Sequence, residues 1–172
     1  EVNFIIDYME NKWINYQPTK EQMIETYTRL AWASKFEKFL EVKFMTKRFG
    51  LEGLESMITG LHTFFEESSN TGVKDITLGM SHRGRLNVLA NCFGKSMTKI
   101  FKEMMGKQRE TEGEIFLRSG DVKYHLGHSQ TKLMNNGKEL TMDILNNPSH
   151  LECICPVVQG MVRAKQHFNK DD

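Results

Sequence analysis

"DITLGMSHRGRLNVLAN", residues 75–91, decides how the chain is read. Ile76, Leu78 and Met80 alternate with Thr77 and Gly79, the period of two that gives a β-strand one apolar face. From about Arg85 the period changes, with Leu86, Leu89 and Ala90 at helical spacing. Between the two periods stand His82, Arg83 and Arg85, gathered around Gly84. Ligands of open α/β sheets collect outside the carboxyl ends of the strands, where the next helix offers unbonded N–H groups. A guanidinium fork suits phosphate or carboxylate, imidazole adds a donor that exchanges a proton, and glycine permits close backbone approach. The set therefore suits an anionic ligand that undergoes chemistry. The same arginines would equally serve to cover a sheet edge or to pair with acidic neighbours.

The design returns near the end of the chain. Leu140, Met142 and Ile144 alternate as a strand, "NNPSHLE" breaks the pattern, and Pro156 is read as opening a helix through Val157, Val158, Met161 and Ala164. His150 thus stands in the second junction as His82 does in the first. Neighbouring strand ends would bring the two histidines to one crevice.

Upstream, the first 17 residues read as partly helical. Thr19 and Gln22, just after Pro18, form a capping box, and Met23, Ile24, Tyr27, Leu30 and Ala31 continue through Phe36, Phe39, Leu40 and Phe44 as one helical stripe. "KRFGLEG", residues 47–53, interrupts it. Leu54, Met57, Ile58, Leu61, Phe64 and Phe65 then mark a second amphipathic helix, and Met97, Ile100, Phe101 and Met104 another. "GKQRETEGE" reads as an exposed loop and "GDVKYHLGHSQ", residues 120–130, as a structured loop without regular strand or helix. Strands separated by helices predict an α/β sheet with parallel members.

Composition sets the bounds. The 172 residues are 39% apolar, which fits one domain or part of one. Basic residues number 23 against 22 acidic, so no global field favours nucleic acid or an anionic membrane, and any anion site must be local. No apolar run reaches the ~18 residues of a membrane span. Three cysteines, Cys92, Cys153 and Cys155, make an odd number and favour a reducing compartment over a disulfide framework. His125, His128, Cys153 and Cys155 compose a zinc set by residue type, but Cys-x-Cys lacks the usual ligand spacing. His62 reads as a partly exposed helical residue. The chain opens on Glu1, and a segment of a longer protein is expected.

Taken together, "KRFGLEG", "GMSHRGRLNVLAN", "SGDVKYHLG" and "NPSHLE" with "PVVQGMVRAKQ" resemble the thiamine diphosphate-dependent, decarboxylating first component of the 2-oxoglutarate dehydrogenase complex. The likeness runs from about Leu30 to Gln166, with the motifs in order. It implies an N-terminal helical segment over residues 1–50 and, over 51–172, an incomplete Rossmann-like α/β domain that holds the diphosphate side of thiamine diphosphate. It implies that Arg83 contacts the cofactor, that His82 and His150 act on the 2-oxo acid, and that Phe49 lines the same pocket. It also implies Mg²⁺, whose ligands in the family, a Gly-Asp motif and an asparagine, are not in this chain; nor is the glutamate that activates the thiazolium. The implied reaction is oxidative decarboxylation of 2-oxoglutarate with succinyl transfer to the lipoyl group of dihydrolipoyl succinyltransferase, by a homodimer when full length. The implied compartment is the mitochondrial matrix, or the cytoplasm in a bacterium. The 2-oxoadipate paralogue, a non-catalytic partner-binding segment and the zinc module are the alternatives.

Overall fold

The computed structural model describes residues 1–44, 48–105, 125–146 and 150–170. Its sheet has three strands in the order β1-β3-β2: β1 (Asp75–Leu78), β2 (His128–Leu133) and β3 (Glu139–Ile144). β1 runs parallel to β3, with Asp75 opposite Thr141 and Leu78 opposite Ile144, as the two strand-to-helix junctions require. The central strand is β3, whose Leu140, Met142 and Ile144 are at most 1% exposed. This mixed arrangement of helices and sheet is compatible with the α/β expectation.

β2 corrects the reading of residues 120–130 as lacking regular structure: His128–Leu133 pairs antiparallel with β3, and residues 106–124 lie outside the described region. The reason it escaped is chemical. The half-buried positions of β2 are His128, Gln130 and Lys132, while its apolar Leu133 faces solvent, so the apolar alternation is absent. The connection to β3 closes through Met134 and Lys138, with Gly137 at φ 78°.

The helices are α1 (Val2–Asp7), continued by a π-helical turn at Tyr8–Trp13, α2 (Lys20–Lys43), α3 (Ser56–Asn70), α4 (Arg85–Asn91), α5 (Met97–Met104) and α6 (Leu151–Asn169). The capping box at the start of α2 is present: Thr19 Oγ1 accepts from the Gln22 N–H at 3.2 Å, and Gln22 Oε1 accepts from the Thr19 N–H at 2.8 Å. The helical period of α2 is as read, but its first turns are not covered, since Met23, Ile24 and Tyr27 are 51%, 56% and 74% exposed. Periodicity tells which side chains share a face, not what lies opposite. The core begins at Ala33 and joins Phe36 and Leu40 to Leu51, Ile58 and Phe65, to α4, and to β3. An apolar groove of about 570 Å³ opens between α2 and α5, lined by Tyr27, Trp32, Phe36, Phe39 and Phe101 among others.

Two helices differ from their sequence reading. α4 is not amphipathic: Arg85, Leu86, Asn87, Val88 and Leu89 are all buried, which makes it the central helix. α6 begins at Leu151 rather than at Pro156, which lies inside the helix. Its Ile154 and Val158 press on the end of β1, where a Cβ on Gly79 would meet Val158 Cγ2 at 2.5 Å and Ile154 Cγ1 at 2.7 Å. Farther along α6, Lys165 Nζ donates to Asp75 at 3.0 Å and to Asp143, tying the helix to both parallel strands. Partial burial opposes charge on both partners of the Lys165–Asp143 pair, but their hydrogen bond outweighs it, raising the lysine pKa and lowering that of the carboxyl.

Candidate active site

The parallel register fixes where the two junctions meet. Leu78 and Ile144 are partners, and the Leu145 N–H donates to the Leu78 carbonyl at 3.0 Å, so β1 and β3 end at the same edge of the sheet. His82 lies in the turn after β1, and His150 is the residue at which α6 starts after β3. Because β2 is antiparallel, with His128 opposite Ile144, it begins at that edge and brings Leu126 and Gly127 there too.

The turn itself is tight. Arg85 N–H donates to the His82 carbonyl at 3.1 Å, and Gly84 adopts φ 73°, a left-handed conformation that glycine enters without steric cost. Gly84 N–H also donates to the Phe49 carbonyl at 2.7 Å, binding the 48–53 loop to the start of α4. A Cβ on Gly84 would meet Leu51 Cδ1 at 2.5 Å, so glycine is required here on two counts.

The two arginines of the turn have opposite fates. Arg83 is exposed. Arg85 is fully buried, and its guanidinium donates to the Met80 carbonyl at 3.0 Å, to the Leu126 carbonyl at 3.1 Å and to the Leu145 carbonyl. One planar cation thus clamps the chain after β1, before β2 and after β3. For Arg85 the anion-binding expectation gives way to the structural reading.

His82 is half-buried, with its ring centroid 4.1 Å from that of Phe49 and 6.2 Å from that of His125. Burial, then the neighbouring His125 and Arg83, hold its pKa below the ordinary histidine value of 6.5. The imidazole is therefore mainly neutral at pH 7 and retains both a donor and an acceptor nitrogen. His125 is 7% exposed. Sequence reasoning considered it only as a zinc ligand; its place beside His82 follows from β2, which the apolar pattern did not reveal. His150 is exposed and makes no side-chain cap bond to α6. The charge of Arg83 also acts on Glu52: partial burial pushes the Glu52 carboxyl up, but its own backbone bond, Arg48 and Arg83 together leave it below the usual range.

Among the described residues no three His, Cys, Asp or Glu side chains are grouped to hold a metal ion. The set of His125, His128, Cys153 and Cys155 is therefore not assembled; Cys153 and Cys155 are exposed in α6 while His125 is buried. No helix of the described residues is long and apolar enough to cross a membrane. The α2–α5 groove is strongly apolar, yet its lining includes none of Phe49, His82, Arg83, His125 or His150.

No family model matches the chain. Among curated proteins it is 45% identical over 169 residues to the mitochondrial 2-oxoglutarate dehydrogenase of Dictyostelium discoideum, an alignment that covers 96% of this chain and 17% of the relative. It is 47% identical over 157 residues to the mitochondrial 2-oxoglutarate dehydrogenase of Saccharomyces cerevisiae, covering 91% and 15% respectively. The 2-oxoglutarate dehydrogenase E1 component of Azotobacter vinelandii is 40% identical over 181 residues, covering 99% and 19%. The chain thus spans less than a fifth of the length of these relatives, and within that span it belongs to the 2-oxoglutarate dehydrogenase E1 family.

Proposed function

We propose that the chain is the segment of a thiamine diphosphate-dependent 2-oxoglutarate dehydrogenase E1 subunit that supplies one wall of its oxo-acid and diphosphate pocket. Residues 1–50 are its N-terminal helical segment, and residues 51–172 begin its Rossmann-like domain. The observation that carries this reading is the turn at 82–85, where an exposed Arg83 follows a half-buried His82 beside the shared end of two parallel strands.

The donor set of that edge fits thiamine diphosphate. Arg83 offers an exposed guanidinium to a doubly charged diphosphate, and its charge is among those that lower the pKa of the half-exposed Glu52 carboxyl. The cofactor, when bound, supplies the electron sink for loss of CO₂. Mg²⁺ would be held by residues outside the described ones.

The protein's own share is position and charge. His82 and His150 donate to the oxo oxygen and to the carboxylate of 2-oxoglutarate that is retained, while the other leaves as neutral CO₂. Phe49 lies against His82, with the ring centroids 4.1 Å apart and the planes tilted by 52°, and would shield that side of the imidazole from water. The succinyl unit then passes to the lipoyl group of a dihydrolipoyl succinyltransferase, in the mitochondrial matrix or, for a bacterial source, the cytoplasm. The full-length subunit works as a homodimer, and the 172-residue chain alone has no turnover. The substrate is 2-oxoglutarate rather than 2-oxoadipate; one methylene separates them by only about 1–3 kcal/mol, so direct competition on the full-length enzyme decides.

The test is Arg83→Ala in the full-length subunit. Calorimetric titration should show thiamine diphosphate affinity lowered about 10- to 100-fold, the value of one lost charge-assisted bond, with the thermal midpoint of the cofactor-free protein unchanged. Wild-type affinity would remove Arg83 from the pocket.

A further inference from the structure

We infer that Glu37, a buried carboxylate on α2, is a positioning residue for the proposed pocket, acting by holding the Phe49 loop and the His82 turn in fixed relation. The inference rests on the pocket reading above and adds to it a residue that touches neither cofactor nor substrate.

Glu37 is 3% exposed, and its two oxygens serve two different elements. Oε1 accepts from Asn87 Nδ2 at 2.9 Å, on α4, the helix that follows the His82 turn. Oε2 accepts from Arg48 Nη1 at 2.8 Å, on the residue next to Phe49. One carboxylate therefore bridges the elements whose ends bring the Phe49 and His82 rings to 4.1 Å. Both arms are themselves held. Asn87 Nδ2 also donates to the Ala33 carbonyl at 3.0 Å, its Oδ1 accepts from Asn91 Nδ2 at 2.7 Å, and Arg48 Nη2 pairs with Glu52.

The loop needs such a hold. Phe49 adopts φ 47°, a left-handed conformation that a residue with a Cβ keeps only where its surroundings over-determine it. The surroundings do so without spare room: a Cβ on Gly50 would come within 2.6 Å of Arg48 Nη1 and 2.7 Å of Glu37 Oε2. A buried ion pair is not an efficient way to stabilise a core, because desolvation offsets most of the attraction. Its value here is directional, since a carboxylate fixes the angle between two partners as an apolar contact does not.

A double-mutant cycle in the full-length subunit tests this, with kcat/KM for 2-oxoglutarate, thiamine diphosphate affinity and thermal midpoint measured for Glu37→Ala, Phe49→Ala and the double variant. If Glu37 acts through Phe49, each single variant loses about tenfold in kcat/KM, the double variant loses no more than about threefold beyond Phe49→Ala, and cofactor affinity stays within twofold. Glu37→Gln keeps an acceptor for Arg48 but turns its amide donor toward Asn87 Nδ2, so it holds one arm of the bridge and should lose several-fold in kcat/KM, less than Glu37→Ala. Losses that multiply, or a Glu37→Ala subunit with wild-type kcat/KM beside an impaired Phe49→Ala, overturn the inference and leave the pocket reading standing. Wild-type kcat/KM in Phe49→Ala removes the pocket reading, and the inference with it. Should Glu37→Ala fail to fold, the same cycle run with Glu37→Gln applies, and the same multiplication of losses overturns the inference.

Discussion

The two strand-to-helix junctions have the same outline and opposite construction. After β1 the chain is clamped: Gly84 is bonded to Phe49, Leu51 fills the space over it, and Arg85 is sunk among three backbone carbonyls. After β3, His150 stands exposed at the start of α6 without a side-chain cap bond. The first junction presents its histidine already oriented by this chain's own packing. Among the described residues, the second gives its histidine no side-chain cap bond to the helix that follows. Preorganisation is where electrostatic catalysis gains most, so under the proposed function the exacting role would fall to His82 and the more adaptable one to His150.

Stability should divide along the same line. Arg85→Leu strands three part-buried carbonyls and should cost about 3–5 kcal/mol of unfolding free energy in the full-length subunit. Arg83→Ala and His150→Ala, at exposed positions, should each stay within about 0.5 kcal/mol of wild type. A mild Arg85→Leu phenotype, or a severe one for His150→Ala, would erase the contrast between the junctions.

A smaller effect probes the far end of α4. His62 Nε2 lies 2.7 Å from the Asn91 carbonyl, and burial, followed by repulsion from Arg29, lowers its pKa to about 4. The folded pKa lies below the unfolded one, so between about pH 6.5 and 4 the unfolded chain takes up a proton that the native state refuses. Stability should therefore fall as pH drops through that window, by about 1–2 kcal/mol after allowance for partial exposure. In His62→Gln this part of the pH dependence should vanish in chemical denaturation curves, and an unchanged slope would show that the α3–α4 contact is looser than described.

Much of this was legible in the sequence, for identifiable reasons. β1, β3, the capping box of α2 and the adjacency of the two junctions followed from apolar periods and turn residues, which are local signals. β2 was not legible, because His128, Gln130 and Lys132 take its half-buried positions. With β2 went the placement of His125 beside His82. Arg85 and Arg83, two residues apart and chemically identical, could not be told apart until the third strand supplied the Leu126 carbonyl. Glu37 gave no signal either, since a charged residue on a long helix reads as a solvated one. The resemblance to a family added the proposed roles of Arg83, His82 and His150, which no period or spacing carries.

The central claim is that the clamped turn holds His82 ready for the oxo acid, and the most direct measurement is the steady-state kinetics of His82→Ala in the full-length subunit saturated with thiamine diphosphate and Mg²⁺. The account predicts that kcat/KM for 2-oxoglutarate falls by about 10²-fold or more, while cofactor affinity and thermal midpoint remain at wild-type values. A variant that turns over 2-oxoglutarate like wild type would contradict it.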